Sequence, residues 1–219
     1  EAREWQEKLR GRVRESRELD SGEVKRVAGT DISYLREQRM ALGAVVLMEF
    51  PGLRVLDERR SVVEVGFPYV PGLLSFRELP ALIPALEALS GDPDLIFVDG
   101  QGIAHPRGFG LASHLGVLTG KPTIGCAKSR LVGDYREPGP GVGDREPLIY
   151  EEKQVGAVLR TRSKVKPLLI SVGNRIDLDT AIEMVLACCT GFRLAESQRR
   201  AHRIADEIKR DIRAGKAVV

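Results

Sequence analysis

Apolar positions along this chain change period several times, and each change marks an element. In residues 1–20, Trp5, Leu9 and Val13 recur every four residues among charges, which predicts an amphipathic helix with one apolar stripe. Residues 24–34 alternate and are β-branched, predicting a strand that carries Asp31. Residues 40–50 predict a second strand, Pro51-Gly52 a turn, and residues 53–65 a third strand. Three consecutive strands with short links predict an antiparallel meander. The segment Phe67-Pro68-Tyr69-Val70-Pro71-Gly72 has neither period. Ser75 then reads as an N-cap, with Glu78 at the capping-box position, opening a helix to about residue 89. Pro80 falls in its early turns, and Pro84 stands where it would kink the helix.

Residues 95–98 are an unbroken apolar run followed at once by glycines, the pattern of a strand buried on both faces. A helix at 109–118 and a buried strand at 122–128 follow. Residues 133–147 read as a loop, 154–161 and 167–172 as strands, 179–190 as a helix opened by Asp179, and 194–214 as a basic helix. This order predicts an α/β fold with a mixed five-stranded central sheet, an antiparallel meander plus parallel strands, flanked by helices.

Composition narrows the class. The 219 residues read as one domain, 1–219, with 42% hydrophobic and 30% charged residues. No apolar run approaches membrane-span length, and the first residues lack a signal-peptide core. Three cysteines, two of them adjacent and with no C-x-x-C spacing, point to reduced core thiols in a cytoplasmic protein. A net charge of +3 with arginine-rich tails permits nucleic-acid binding.

The chemistry concentrates at predicted strand ends. If the first strand and the strand at 95–98 are parallel neighbours, Asp31 and Asp99 lie side by side. Two carboxylates so close repel unless a cation sits between them. A hard divalent ion such as Mg²⁺ resolves this, and Glu78 would add a third carboxylate. Such an ion serves phosphodiester hydrolysis. Lys128 would then offset charge on the phosphate, and His105 would position water or transfer a proton. The plainer alternative makes Asp99 a strand-end cap of the next turn. Pro68-Tyr69-Val70-Pro71 is a stiff blade with an aromatic tip, suited to entering a base stack. Its plainer alternative packs Tyr69 on the core.

Several long segments resemble the endonuclease V family, the deoxyinosine-specific nucleases. They are VAGTDISY at 27–34, FPYVPGLLSFRE at 67–78, DLIFVDGQGIAHPR at 94–107, GLASH at 110–114 and PTIGCAKSRL at 122–131, and the resemblance spans about residues 27–210. It implies a ribonuclease H-like fold and a Mg²⁺- or Mn²⁺-dependent DNA-repair enzyme. Such an enzyme nicks inosine-containing DNA on the 3′ side of the lesion, leaving 3′-hydroxyl and 5′-phosphate ends. Asp31, Glu78 and Asp99 match the family's metal-site carboxylates, Lys128 and His105 its further catalytic positions, and His202 a position near the metal in some bacterial members. Pro68 to Pro71 match the strand-separating wedge. The resemblance places the flipped base against main-chain groups of Gly72, Gly100 and Gly102, with Leu111 and Leu131 as walls. Gln101 and Asn174 stand where many members have His. Some relatives prefer inosine in RNA, so RNA is the alternative substrate, and a lesion-binding module without chemistry is the non-enzymatic one. A monomer is expected.

Overall fold

The computed structural model describes residues 1–16 and 18–216. Its first element is helix α1 (Ala2–Arg10), followed by three strands, β1 (Arg26–Leu35), β2 (Met40–Glu49) and β3 (Val55–Glu64). Helix α2 (Leu74–Glu87) leads to strand β4 (Leu95–Val98), helix α3 (Leu111–Thr119) and strand β5 (Thr123–Ala127). Strands β6 (Arg145–Tyr150), β7 (Lys153–Leu159) and β8 (Leu168–Asn174) precede helices α4 (Leu178–Cys188) and α5 (Glu196–Arg213). The meander is present: β1 pairs antiparallel with β2, and β2 with β3. Strands β1, β4 and β5 run parallel as neighbours.

The sheet is larger than the sequence pattern predicts. It has eight strands in the order β3-β2-β1-β4-β5-β8-β7-β6, because β8 adds antiparallel to β5 and carries β7 and β6 with it. The expected loop at 133–147 yields its last residues to β6. That strand hides in the sequence because only Leu148 in it is fully buried, and because Pro147 reads as a breaker. Proline is tolerated there since β6 is an edge strand.

Strand β4 shows why the centre of the sheet is so apolar. Leu95 and Phe97 face the layer built by α4 and α5, while Ile96 and Val98 face α2 and α3. Each of these fully buried side chains contributes about 1.5–3 kcal/mol of burial energy. Helix α5 lies directly on β1: a Cβ on Gly29 would stand 2.3 Å from the Gln198 backbone nitrogen. This close approach also brings His202 of α5 beside Asp31 of β1.

The helix ends depart from expectation in three places. Helix α1 stops at Arg10, and Trp5 is 52% exposed; the one buried residue of this helix is Gln6. Its predicted apolar stripe does not hold together: Trp5 faces out, while Val13, past the end of α1, packs partly buried against the main core, and Arg17 of the expected span lies outside the described residues. Leu73, not Ser75, occupies the N-cap of α2 and makes no side-chain cap; Ser75 is inside the helix, its hydroxyl 2.9 Å from His114 Nδ1. Asp177, not Asp179, caps α4, accepting the Thr180 N–H at 2.8 Å. Among the described residues no helix is long and apolar enough to cross a membrane.

Candidate active site

Parallel register decides where the acids meet. Gly29 pairs with Phe97 and Thr30 with Val98, so Asp31, still inside β1, and Asp99, just past the end of β4, lie at the same level. Asp31 is 6% exposed and within hydrogen-bonding reach of the Asp99 carboxyl. Burial, then the hydrogen bond and charge of Asp99, push the Asp31 pKa up to about 7. Glu78, one turn into α2 and 8% exposed, is pushed up to about 8 by burial, with the charges of Asp99 and Asp31 adding to it. The Tyr34 hydroxyl donates to Glu78 Oε1 at 3.2 Å and offsets part of that rise. The three acids thus lie within one another's field.

Protein cations partly balance them. Lys128, just past the end of β5, donates from Nζ to Asp99 Oδ2. His202, carried by α5, sets Nδ1 3.0 Å from Asp31 Oδ2. Arg193 Nη2 donates to the carbonyl of Lys128 at 2.9 Å and to that of Pro167 at 2.7 Å, bracing the lysine's backbone. Among the described residues no group of three His, Cys, Asp or Glu side chains is arranged to hold a metal ion as the side chains stand. The chemistry of the donors is nevertheless that of a hard-cation site. It offers three carboxylates, and burial burdens the ionised form of two of them: Asp31, only partly offset by His202 and Lys128, and Glu78, only partly offset by Tyr34 and Arg77.

Beside the acids opens a cavity of about 450 Å³. Gly72, Gly100, Leu111 and Leu131 line it, together with Asp99 and Lys128. Gly102 lies beneath it instead, its N–H donating to Ser171 Oγ at 2.8 Å. Tyr69 stands between this cavity and a second one of about 880 Å³, lined by Tyr34, Arg36, Arg39, Arg77 and Glu78. Tyr69 is 70% exposed, so the alternative in which it packs on the core does not hold.

His105 turns toward the cavity wall. Its Nε2 is 3.1 Å from the Gly72 carbonyl, while Nδ1 accepts the Arg107 N–H at 3.2 Å. Burial, then the Arg107 charge, push its pKa down to about 4, so near pH 7 the ring is neutral with its proton on Nε2. The two positions without His are structural ties: Gln101 donates to the Ser129 carbonyl at 3.0 Å, and Asn174 to that of Gly116 at 2.9 Å. Arg107 follows the buried strand and its Asp, Gly and His in sequence, whereas Gln6, Arg193 and Tyr34 are not reached by the sequence reading. Tyr34 had no such signal, since three residues beyond Asp31 on a strand it points to the opposite face, and it reaches the site through Glu78; Gln6 and Arg193 look like any surface polar residue.

A meander continued by parallel strands, with acids gathered at the strand ends beside a cavity large enough for a base, defines a nuclease of ribonuclease H-like fold. The Endonuclease V family model matches residues 7–203, and the chain belongs to that family. It is 49% identical over 217 residues to Endonuclease V of Geotalea uraniireducens, covering 99% of this chain and 91% of that one. The crystal structure of Endonuclease V from Streptomyces avermitilis superposes with a TM-score of 0.92 at 45% identity, covering 96% of this chain and 92% of the other. Ciona intestinalis Endonuclease V, solved in complex with a 24mer DNA containing an inosine followed by a ribo-adenosine, superposes with a TM-score of 0.86 at 28% identity, covering 96% and 97%.

Proposed function

We propose that this nuclease recognises deoxyinosine in DNA and hydrolyses the same strand on the 3′ side of the lesion, leaving 3′-hydroxyl and 5′-phosphate ends, as a repair enzyme of the cytoplasm. The observation that carries the reading is the convergence of Asp31, Glu78 and Asp99 beside a base-sized cavity that Lys128 also lines. Asp31, Asp99 and Glu78 would hold Mg²⁺, with Mn²⁺ as a substitute. When bound there, the ion supplies charge stabilisation at the phosphate and an activated water.

The chain's own residues do the rest. Lys128 sits beside the acids, where its charge offsets that of a phosphate brought up to Asp99. Tyr69, held out between prolines, enters the base stack and separates the strands. The flipped hypoxanthine occupies the 450 Å³ cavity against the backbone of Gly72 and Gly100, with Leu111 and Leu131 as walls. The larger cavity beyond Tyr69, which shares Glu78, receives the strand past the scissile bond. The whole span 1–219 acts as one unit.

A second reading, inosine-specific cleavage of RNA on the same site, is favoured by the ribo-adenosine that follows inosine in the Ciona complex. Product mapping on matched, labelled inosine-containing DNA and RNA strands, with and without Mg²⁺, tests both. Expected is a Mg²⁺-dependent nick 3′ to inosine in DNA, lost in Asp99→Ala with inosine-strand binding retained. Silence on DNA with cleavage of RNA selects the second reading. Binding without any product reduces the protein to a lesion-binding module, and cleavage by Asp99→Ala refutes the metal assignment.

A further inference from the structure

Helix α1 has an arrangement that core packing does not explain. It contacts the body near α3, yet its aromatic residue Trp5 faces outward and its single buried residue is a polar one, Gln6, at 1% exposed. Gln6 uses both ends of its amide. Nε2 donates to the Gly72 carbonyl at 2.9 Å and to the Phe109 carbonyl at 3.3 Å, and Oε1 accepts from Arg107 Nε at 2.6 Å. Arg107 in turn donates from Nη2 to the Gly72 carbonyl at 2.5 Å, and His105 Nε2 stands 3.1 Å from the same oxygen. One carbonyl is therefore met by three side chains from two distant parts of the sequence.

The position of that carbonyl matters. The Leu73 N–H bonds back to the Val70 carbonyl at 2.9 Å, closing a turn with Pro71 second and Gly72 third. Gly72 has φ +75°, the pattern of a type II turn, in which the third residue must be left-handed. The turn joins the Tyr69 blade to the wall of the base cavity. Its Gly72–Leu73 peptide is fully engaged, N–H to Val70 and C=O to the three side chains. The Gly72 N–H donates to no group among the described residues, and Gly72 lines the cavity.

We infer that Gln6 is a positioning residue of the base pocket: it ties α1 to the Gly72 carbonyl and so fixes the turn that presents the Gly72 N–H to the base and Tyr69 to the stack. The inference rests on the reading above, in which this cavity holds the flipped hypoxanthine. A fixed N–H donor favours a base edge rich in acceptors, such as the O6 of hypoxanthine, over the amino group that adenine places there. An untied turn still admits the base but reads it less well. The effect belongs in substrate affinity and base preference rather than in the chemical step.

The test measures Kd for fluorescein-labelled inosine and adenosine strands by anisotropy in EDTA, and KM and kcat in Mg²⁺, for wild type, Gln6→Ala, Gln6→Glu and Trp5→Ala. Gln6→Glu keeps the partner for Arg107 but turns a carboxylate onto two carbonyls. Expected for both Gln6 variants is a rise in inosine-strand Kd and KM of about five- to tenfold, the loss of one hydrogen bond's worth of positioning, with kcat within about twofold. The inosine-over-adenosine preference falls in parallel, and Trp5→Ala behaves as wild type. Gln6 variants with unchanged Kd and KM overturn the inference. So does an equal loss on inosine and adenosine strands accompanied by a fall in Tm, which is the result of a merely structural role. A wild-type protein with no inosine preference overturns the base-pocket reading itself, a different result from either.

Discussion

At the scale of single residues, two of the acids are buried at a cost in stability, which the proposed Mg²⁺ would relieve. A carboxyl whose pKa is raised on folding binds its proton more tightly in the native state than in the unfolded one. Its native advantage is complete below the ordinary carboxylate range and is lost as pH climbs through the raised value, about 7 for Asp31 and about 8 for Glu78. His105 and His114, both pushed down to about 4 by burial, work in the opposite sense. Their contribution is complete above the ordinary imidazole value and is lost as pH falls toward 4. Between pH ~6.5 and ~8.5 only the acids move. In EDTA, Tm should therefore fall across that interval, and Mg²⁺ should restore more of it at the upper end than at the lower, because a cation competes with protons for these oxygens. Asp31→Asn should raise the EDTA Tm at pH ~8.5 by about 4 °C while abolishing nicking, the usual trade of function against stability. Calorimetry across pH, with and without Mg²⁺, checks it; a Tm independent of pH and metal defeats it. Asp99 and Lys128 were legible because each ends a buried apolar run, and Asp31 because it is the one carboxylate of the first predicted strand. Gln6 was not, since on an amphipathic helix a polar residue reads as solvent-facing, and its three hydrogen bonds reach partners 66 to 103 positions away.

At the scale of elements, the proline blade and its closing turn form one rigid unit. Pro68 and Pro71 restrict the chain on either side of Tyr69, and the turn after them is anchored through Gly72. A side chain at Gly72 meets two obstacles: φ +75° disfavours it, and its Cβ would stand 2.7 Å from Arg107 Nη2. Gly72→Ala should therefore weaken inosine binding on single strands and duplexes alike, by about tenfold. Tyr69→Ala should weaken duplex binding several-fold more than single-strand binding, because only a duplex has a partner strand to part. Equal losses in Tyr69→Ala would remove the wedge role. The blade was legible from its prolines alone. The cap of α2 was not: Ser75 and Glu78 have capping-box spacing, but Ser75 sits one residue inside the helix facing His114, and Glu78 is turned to Tyr34 and the acids. Strand β6 escaped for a different reason, since an edge strand with one buried side chain has almost no hydrophobic period to read.

At the scale of the whole molecule, the meander and the parallel strands bring acids from separated segments to one end of the sheet, and the cavities lie to either side of Tyr69. The strand count was the part of the architecture that patterning missed. Strands β6 to β8 extend the sheet away from the acids, and no chemistry-bearing residue marks them. The larger cavity, of about 880 Å³, has Arg36 and Arg39 on its rim, both exposed and neither in a salt bridge among the described residues. Arg77 is already committed, stacked 4.9 Å over the Tyr34 ring and donating to the Phe67 carbonyl at 2.8 Å. On the proposed reading, the two free guanidiniums would meet phosphates of the strand beyond the scissile bond. Contacts of that kind position a nucleic acid without reading its sequence, and each neutralised phosphate adds about one unit to the salt dependence. The double variant Arg36→Ala/Arg39→Ala should bind inosine and adenosine strands more weakly by the same factor. Its slope of log affinity against log salt should be shallower by about 1–2, with kcat at saturating DNA unchanged. Binding titrations at several salt concentrations measure this. A loss confined to inosine strands would assign the larger cavity to base readout and redirect the strand's path away from it.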